Sequence, residues 1–233
     1  PFFKGKKWYV DSFNGGANSA QIFVAGGYRF LHIGLQFHAP NAALEWAARV
    51  VKTYPGLPTI ISTHDYMMSN GERLANPIID NHAVDPDDNT PQMIWDKFIK
   101  QHDQIFMVLC GHENGQAFRI DSNEFGHKVY QILSDYQDRN QTVKDAGLAP
   151  TLFNGIGDGW LRLMRFEMEA ATPKVRVETY STHYRKRSRE TAQYAAWYRD
   201  HEQPGKTDEA FHDSDDFAFD LTDFKARFAK TAR

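Results

Sequence analysis

The chain has 233 residues, of which 41% are hydrophobic and 14% aromatic, so it carries enough apolar material for the core of one domain. Its net charge of −3 excludes the global basic field that general nucleic-acid binding requires. No stretch reaches the ~20 apolar residues of a membrane-spanning helix, and Cys110, as the single cysteine, excludes an internal disulfide and a cysteine-based zinc site.

Local patterns in the first half of the chain predict alternating strands and helices. Gly26-Gly27 separates two β-rich segments and predicts a hairpin. Apolar residues at helical spacing predict a helix that opens at Pro40 and stops at Pro55-Gly56. A second helix is predicted over 91–100. The polar segment 65–90 between these helices predicts a long loop, and loops of that length are usually functional or mobile.

The second half of the chain predicts three further strands and a tail. The strands cover 127–136, 160–168 and 174–180, with a polar, glycine-bearing surface loop over 137–159. The last fifty residues or so predict an extended or helical wrap. The order of elements, strands alternating with helices and then antiparallel strands, predicts an α/β layered fold with a mixed sheet.

Two short apolar segments each end in a histidine. Thr59–Thr63 leads into His64, and Ile105–Gly111 leads into His112. Ligand sites in open α/β sheets gather beyond the carboxyl ends of strands, and imidazole is the commonest metal ligand. The two histidines therefore predict a metal site built from distant segments. The alternative is a pair of strand-end histidines whose hydrogen bonds are satisfied by the backbone.

Several segments together resemble the C-terminal half of a calcineurin-like metallophosphoesterase. The resemblance covers roughly residues 1–182 and is carried by a set of pieces in the right order. These pieces are the strand Phe30–Leu35, the helix Leu44–Val51, Pro58–His64, Ile94–Lys97, Met107–His112, and the strand that ends Glu178–Ser181.

The resemblance implies a fold and a division of the chain. The fold is of the α/β class, a layered β-sandwich flanked by helices, with the N-terminal half of the family's fold absent from this chain. Residues 1–184 are expected to form the C-terminal part of a metallophosphoesterase domain, and residues 185–233 a tail that wraps it.

The resemblance also implies a metal-dependent hydrolase of phosphomonoesters or phosphodiesters. The family's site holds two divalent metal ions, and Mn, Fe, Zn or Ca remain open here. His64 matches a lone metal-binding histidine, and His112 matches the first histidine of a Gly-His-x-His motif, so both are expected to bind the same ion.

Three other residues enter the expected site. Asn114 stands where the family has its second histidine, so it is a candidate ligand, weaker than imidazole, for the other ion. The alternative is a turn residue, because Asn-Gly at 114–115 is a strong turn signal. Asp65 and Tyr66 follow His64 and are candidate substrate-binding residues, with solvated loop residues as the alternative.

The family's upstream motifs, which supply the bridging carboxylate and the proton donor, have no counterpart at the expected place. Two imidazoles cannot by themselves reproduce a two-metal clamp. We therefore expect this polypeptide to be inactive or nearly so alone, and to need a missing N-terminal segment or a companion chain. The start at Pro1 suggests a processed or truncated product, with export to the periplasm or outside the cell as a weak indication.

A rival hypothesis comes from a different class of protein. A metal-free binding or scaffold module that kept the fold and lost the site would also explain Asn114 and the missing motifs. It predicts no bound metal and no hydrolysis. A serine hydrolase is disfavoured, because the sequence holds no Gly-x-Ser-x-Gly elbow.

Overall fold

The structure is a computed structural model that describes residues 3, 5–75, 80–148 and 157–230. Parts of the two predicted loops, residues 76–79 and 149–156, lie outside the described residues. The strands are β1 (Tyr9–Phe13), β2 (Asn18–Ala25), β3 (Tyr28–Gly34), β4 (Thr59–Asp65), β5 (Ile105–Gly111), β6 (Gly115–Ser122), β7 (Lys128–Asp135), β8 (Trp160–Glu167), β9 (Lys174–Ser181), β10 (Lys186–Arg187) and β11 (Phe217–Asp220). The helices are α1 (Asn41–Thr53), α2 (Asn81–Val84), α3 (Pro91–Lys97), α4 (Gln141–Asp145), α5 (Tyr194–Glu202), α6 (Asp208–Asp215) and α7 (Phe224–Arg227).

A large mixed sheet forms the centre of the protein. Its seven strands run in the order β1-β2-β3-β4-β5-β7-β6. The four strands β3, β4, β5 and β7 are mutually parallel, and the outer strands pair antiparallel. β5 is an almost continuous run of buried apolar residues, as expected of a parallel strand covered on both faces.

A smaller sheet packs against the large one. β9 pairs antiparallel with β8 along its length and also with β10 and β11. A core between the two sheets contains Tyr28 and Phe30 of β3, Phe106 of β5 and Val175 of β9. The predicted α/β fold with a large mixed sheet flanked by helices is therefore confirmed, and the two sheets are stacked in layers.

The helices cover the opposite face of the large sheet. In α1, Ala43, Leu44, Trp46, Ala47, Val50 and Val51 form one buried stripe. They pack with Leu31 and Ile33 of β3, whose side chains point away from those of Tyr28 and Phe30 because strand residues alternate between faces. Burying side chains as large as Leu and Val stabilises the fold by about 1.5–3 kcal/mol each.

The glycine hairpin predicted from the sequence is present. β2 and β3 pair antiparallel, with Ala25 opposite Tyr28. Gly26 and Gly27 form the two-residue turn with φ of +57° and +80°. Both angles lie in the left-handed region, which glycine adopts without the steric cost that a side chain would bring.

The C-terminal tail, residues 185–233, is buried more deeply than we expect of a segment that only wraps the domain. Its β11 pairs with β9, and Phe219, Phe224 and Phe228 lie in the core between the sheets. Tyr194 and Phe211 are fully buried in a third apolar cluster with Trp160. The reason is the spacing of aromatic residues in the tail, which places large apolar side chains on the inner faces of its short elements.

The helices and the smaller sheet cover the two faces of the large sheet at its central strands. The expectation of a companion chain assumed that half of a layered fold would expose an apolar face. Apolar side chains of the outer strands, among them Phe23, Val24 and Ile120, are exposed, and the need for a companion chain stays a prediction. No helix among the described residues is long and apolar enough to cross a bilayer.

Candidate metal centre

Titratable side chains collect at the carboxyl ends of the parallel strands. His38 follows β3, His64 and Asp65 end β4, and His112 and Glu113 follow β5. Asp65 is the residue of β4 that pairs with Gly111 of β5. This register brings the preceding His64 and the following His112 to the same edge of the sheet.

The rings of His64 and His112 lie next to each other. Nε2 of His64 is 2.9 Å from Nδ1 of His112, and the ring centroids are 4.7 Å apart at an interplanar angle of 66°. The ring of Phe37 lies 5.8 Å from that of His64 and 5.6 Å from that of His112. The sequence prediction that two distant strand ends bring these imidazoles together is confirmed, although that geometry does not test metal binding.

The backbone of His112 is in an unusual conformation. Its φ is +72°, in the left-handed region that residues other than glycine adopt uncommonly, Asn, Asp and His more often than the rest. This conformation costs roughly 1–2 kcal/mol for an ordinary residue. Strained positions of this kind concentrate at functional sites, which suits a residue retained for its imidazole.

Two carboxylates extend the pair of histidines. One ligand atom each of Asp65, His112 and Glu113 lie within 4.8 Å of one another. Burial raises the pKa of Glu113; Asp65 and Asp135 raise it further, while His112 opposes them. The carboxylates thus repel one another, and a cation between them would relieve that repulsion.

The donor set fits a divalent metal ion. Two nitrogen ligands that each lie ~2.1 Å from one ion, with an angle of ~90° at the ion, are ~3.0 Å apart. This is close to the distance between Nε2 of His64 and Nδ1 of His112. Ligand atoms on opposite sides of an ion are separated by up to ~4.8 Å, and the ligand atoms of Asp65, His112 and Glu113 lie within 4.8 Å of one another. The mixture of imidazole and carboxylate suits Zn, Mn or Fe and excludes ions that need thiolate ligands.

A buried histidine holds one of these carboxylates. Nε2 of His38 is 3.1 Å from Oδ2 of Asp65, with side chains 0% and 1% exposed. The His38 ring stacks on Phe37 at a centroid distance of 4.0 Å. The sequence analysis assigns no role to His38. Its position shortly after the end of β3 is the signal that could have identified it as part of this group. Glu113 was missed as well, although it directly follows His112.

The predicted substrate-binding residues Asp65 and Tyr66 are both buried. The Tyr66 hydroxyl donates to Oε1 of Gln131 at 3.0 Å, and burial raises the pKa of the phenol. Tyr66 therefore packs in the core with no surface on which to meet a ligand. Their role in substrate binding stays a prediction, and the Asp65 carboxylate lies in the group formed with His112 and Glu113.

Asn114, the third predicted ligand, has its amide engaged elsewhere. Nδ2 of Asn114 donates to Oδ2 of Asp138 at 2.9 Å and lies 3.3 Å from Nε2 of His201. Asn114 lies in the three-residue connection, 112–114, between β5 and β6. Metal binding by Asn114 stays a prediction.

A cavity opens between the ends of β5 and β7 and the strand β8. Its volume is about 640 Å³, and Cys110, Asp135, Trp160 and Arg162 are among its lining residues. Burial raises the pKa of the Cys110 thiol, so this group is a poor nucleophile in spite of its position. The cavity is large enough for a small organic group.

Comparisons with known proteins give one distant relative. No protein-family model matches the chain. Over 185 residues the chain is 23% identical to "Uncharacterized protein YvnB" of Bacillus subtilis (strain 168), in an alignment that covers 77% of this chain and 12% of YvnB. The chain is thus similar to a small part of a much longer protein.

Proposed function

We propose that the edge of the sheet formed by His64, Asp65, His112 and Glu113 binds a divalent metal ion and serves a phosphoesterase centre of the calcineurin-like kind. The separation of 2.9 Å between the two imidazole nitrogens carries the proposal. The clustered carboxylates of Asp65 and Glu113 support it. The substrate class, a phosphomonoester or phosphodiester, comes from the sequence resemblance.

Each residue has a distinct role in this proposal. His64 and His112 hold the ion through ring nitrogens, and Asp65 and Glu113 balance its charge. His38 fixes the orientation of the Asp65 carboxylate through a buried hydrogen bond. A bound divalent ion supplies Lewis acidity, lowering the pKa of a bound water and neutralising phosphoryl oxygens.

Metal titration of the purified chain tests the proposal. Calorimetric titration with Zn²⁺ and with Mn²⁺ is expected to show a bound ion that His64→Ala or His112→Ala weakens by about tenfold or more. His183→Ala is the matched control, because His183 is an exposed imidazole far along the chain from both strand ends. Unchanged affinity in both His64→Ala and His112→Ala would overturn the metal assignment.

Inorganic phosphate tests the phosphoesterase part of the proposal. The metal-loaded chain is expected to bind phosphate, as product, in a way that His64→Ala abolishes. Hydrolysis of p-nitrophenyl phosphate and of bis-p-nitrophenyl phosphate is then measured on the metal-loaded chain. A metal-loaded protein that neither binds phosphate nor hydrolyses either ester would leave a metal site without the proposed chemistry.

A metal-free binding or scaffold module remains the second candidate. It is favoured by the hydrogen bond from the Asn114 amide nitrogen to Asp138, at a position where the family has a histidine. This candidate predicts no binding of Zn²⁺ or Mn²⁺ in the same titration.

A further inference from the structure

A cavity lies where the C-terminal tail meets β6, the strand at one edge of the large sheet. Its volume is about 450 Å³. Its lining includes Gln116 of β6, Gln203 and Lys206 after α5, and Phe217 of β11. The four residues assigned to the metal ion are not among its lining residues. The cavity is therefore separate from the candidate metal centre.

The Gln116 side chain brings a buried, unpartnered donor to this lining. The residue is 0% exposed, and its Oε1 accepts a hydrogen bond from Nη2 of Arg139. A guanidinium group only donates hydrogen bonds, so the oxygen of the amide must be the atom that faces Arg139. The amide nitrogen Nε2 is then left without a hydrogen-bond partner among the described residues.

Gln203 brings the opposite group, a buried acceptor, to the same lining. Its Nε2 donates to the backbone oxygens of Ser69 at 3.2 Å and of Gln116 at 2.9 Å. Carbonyl oxygens only accept, so the orientation of this amide is fixed as well. Its Oε1 has no partner in the described part of the chain, and the residue is 9% exposed. Because unpaired buried polar groups are costly and rare, a donor and an acceptor in one cavity indicate a ligand with complementary groups.

Lys206 adds a positive charge to the lining. Its Nζ donates to the hydroxyl of Ser214, and no carboxylate of the described residues forms an ion pair with it. Burial lowers the pKa of the Lys206 ammonium, and Asp215 opposes that shift. Asp213, an acidic residue of the same lining, already pairs with Arg189. The lining thus offers an anion a cation that has no anionic partner.

Two aromatic rings form an apolar part of the wall. Phe118 of β6 and Phe217 of β11 both line the cavity, with their ring centroids 4.9 Å apart. Both side chains are only partly buried. An apolar group placed against them would remove further ring surface from water. An apolar wall with a few convergent polar groups is typical of a small-molecule site.

We propose that this cavity binds a small carboxylate with a hydrogen-bond donor on the neighbouring carbon, that is, an α-amino or α-hydroxy acid with an apolar side chain. Lys206 and the amide nitrogen of Gln116 hold the carboxylate. Oε1 of Gln203 accepts from the α-amino or α-hydroxyl group. The two phenylalanine rings contact the apolar side chain of the ligand.

Calorimetric titration with four matched ligands tests the ligand class. L-phenylalanine and L-phenyllactate carry both polar groups, hydrocinnamate lacks the donor, and phenethylamine lacks the carboxylate. At least one of the two complete ligands is expected to bind with a Kd of about 1 mM or tighter, and the tighter one identifies the source. Loss of either polar group is expected to weaken binding by about tenfold or more, because a buried group then stays unpaired.

Substitutions test the assigned contacts. Lys206→Met removes the charge at similar side-chain length. Gln116→Glu keeps the oxygen that faces Arg139 and replaces the free donor by a carboxylate oxygen. Each is expected to weaken binding of the tighter ligand by about tenfold or more. Lys144→Met and Gln101→Glu are the matched controls at exposed positions and are expected to leave binding unchanged. Thermal unfolding of each variant verifies that it is folded.

Three results would overturn the proposal. If neither complete ligand binds at millimolar concentration, the two free amide groups are satisfied by water alone. If hydrocinnamate or phenethylamine binds as tightly as the complete ligands, the paired recognition of carboxylate and donor is wrong. If Lys206→Met and Gln116→Glu bind as wild type does, the ligand lies elsewhere. None of these variants alters His64 or His112, so the metal titration of the proposed function is interpreted separately.

Discussion

His38 and Asp65 form a buried imidazole–carboxylate pair at the edge of the sheet, with Nε2 of His38 3.1 Å from Oδ2 of Asp65. The pair joins the segment after β3 to the end of β4. Within the described residues, Nδ1 of His38 has no hydrogen-bond partner. The Asp65 carboxylate is thus the one described group that satisfies this ring, and it also belongs to the cluster around His112.

Removal of that carboxylate is expected to destabilise the fold. Asp65→Ala leaves a buried N–H of His38 without an acceptor, which costs about 1–3 kcal/mol of unfolding free energy. Asp65→Asn retains an oxygen acceptor and is expected to cost less. Urea unfolding measures both. Asp200→Ala, at a carboxylate 77% exposed, is the control and should lie close to wild type. Equal stability of Asp65→Ala and the control would contradict the role of the pair.

His112 offers a test of backbone strain against metal binding. Because its φ is +72°, His112→Gly should be more stable than His112→Ala by about 0.4–1 kcal/mol or more. Both variants should lose the metal ion that we propose at His64 and His112. Unfolding midpoints in the absence of metal measure the strain, and Zn²⁺ titration measures the ligand. A His112→Gly variant less stable than His112→Ala would show that the backbone there is not strained.

The buried pair of Arg139 and Glu202 is expected to hold the tail against the domain. Asp215 also lies 3.7 Å from Arg139, and all three side chains are almost completely buried. Arg139→Met leaves buried carboxylates without their partner, which costs about 3–5 kcal/mol.

The exposed ion pair of Arg176 and Glu167 provides the matched comparison. Arg176→Met is expected to change the unfolding free energy by less than about 1 kcal/mol, because exposed pairs contribute little. Urea unfolding of both variants measures the contrast. Similar costs for the two substitutions would argue against the tail anchor.

Asp121 is expected to make the protein sensitive to acid. Burial alone would raise its pKa, but hydrogen bonds from Arg119, Arg73 and Gln131 outweigh burial and hold the pKa well below its usual range. A carboxyl group whose pKa is lower in the folded state than in the unfolded state stabilises the folded state when the pH is above the unfolded-state pKa of about 3.9. This stabilisation is lost as the pH falls below that value toward the folded-state pKa.

The Asp121→Asn variant tests this pH dependence. The stability difference between wild type and Asp121→Asn should be greatest near about pH 6 and should shrink as the pH falls below about 4. Urea unfolding across that range measures it, with Glu209→Gln, an exposed helix residue, as the control. A difference that stays constant with pH would show that the folded pKa of Asp121 is not depressed.

Much of the strand and helix pattern followed from local sequence. The hairpin at Gly26-Gly27, the helix after Pro40 and the two strands that lead to histidines all appear within a few residues of their predicted bounds. Each depends on short-range features: apolar periodicity, turn residues and proline stops.

The strands β6 and β11 are among those that the sequence did not predict, for a physical reason. β6 contains Gln116 and Arg119 among its apolar residues, and β11 has only four residues. Neither has enough alternation to stand out as a strand. Both form because a neighbouring strand supplies their hydrogen bonds: β7 for β6, and β9 for β11.

The amino-acid sequence by itself determined that two buried strands end in His64 and His112, because β-propensity and strand ends are local properties. Only the tertiary structure decided that the two rings meet, that His38 holds Asp65, and that His201 reaches Asn114 from 87 residues away. These contacts depend on strand order, register and the docking of the tail. They arise when the chain as a whole buries its apolar surface, which no short segment can do alone.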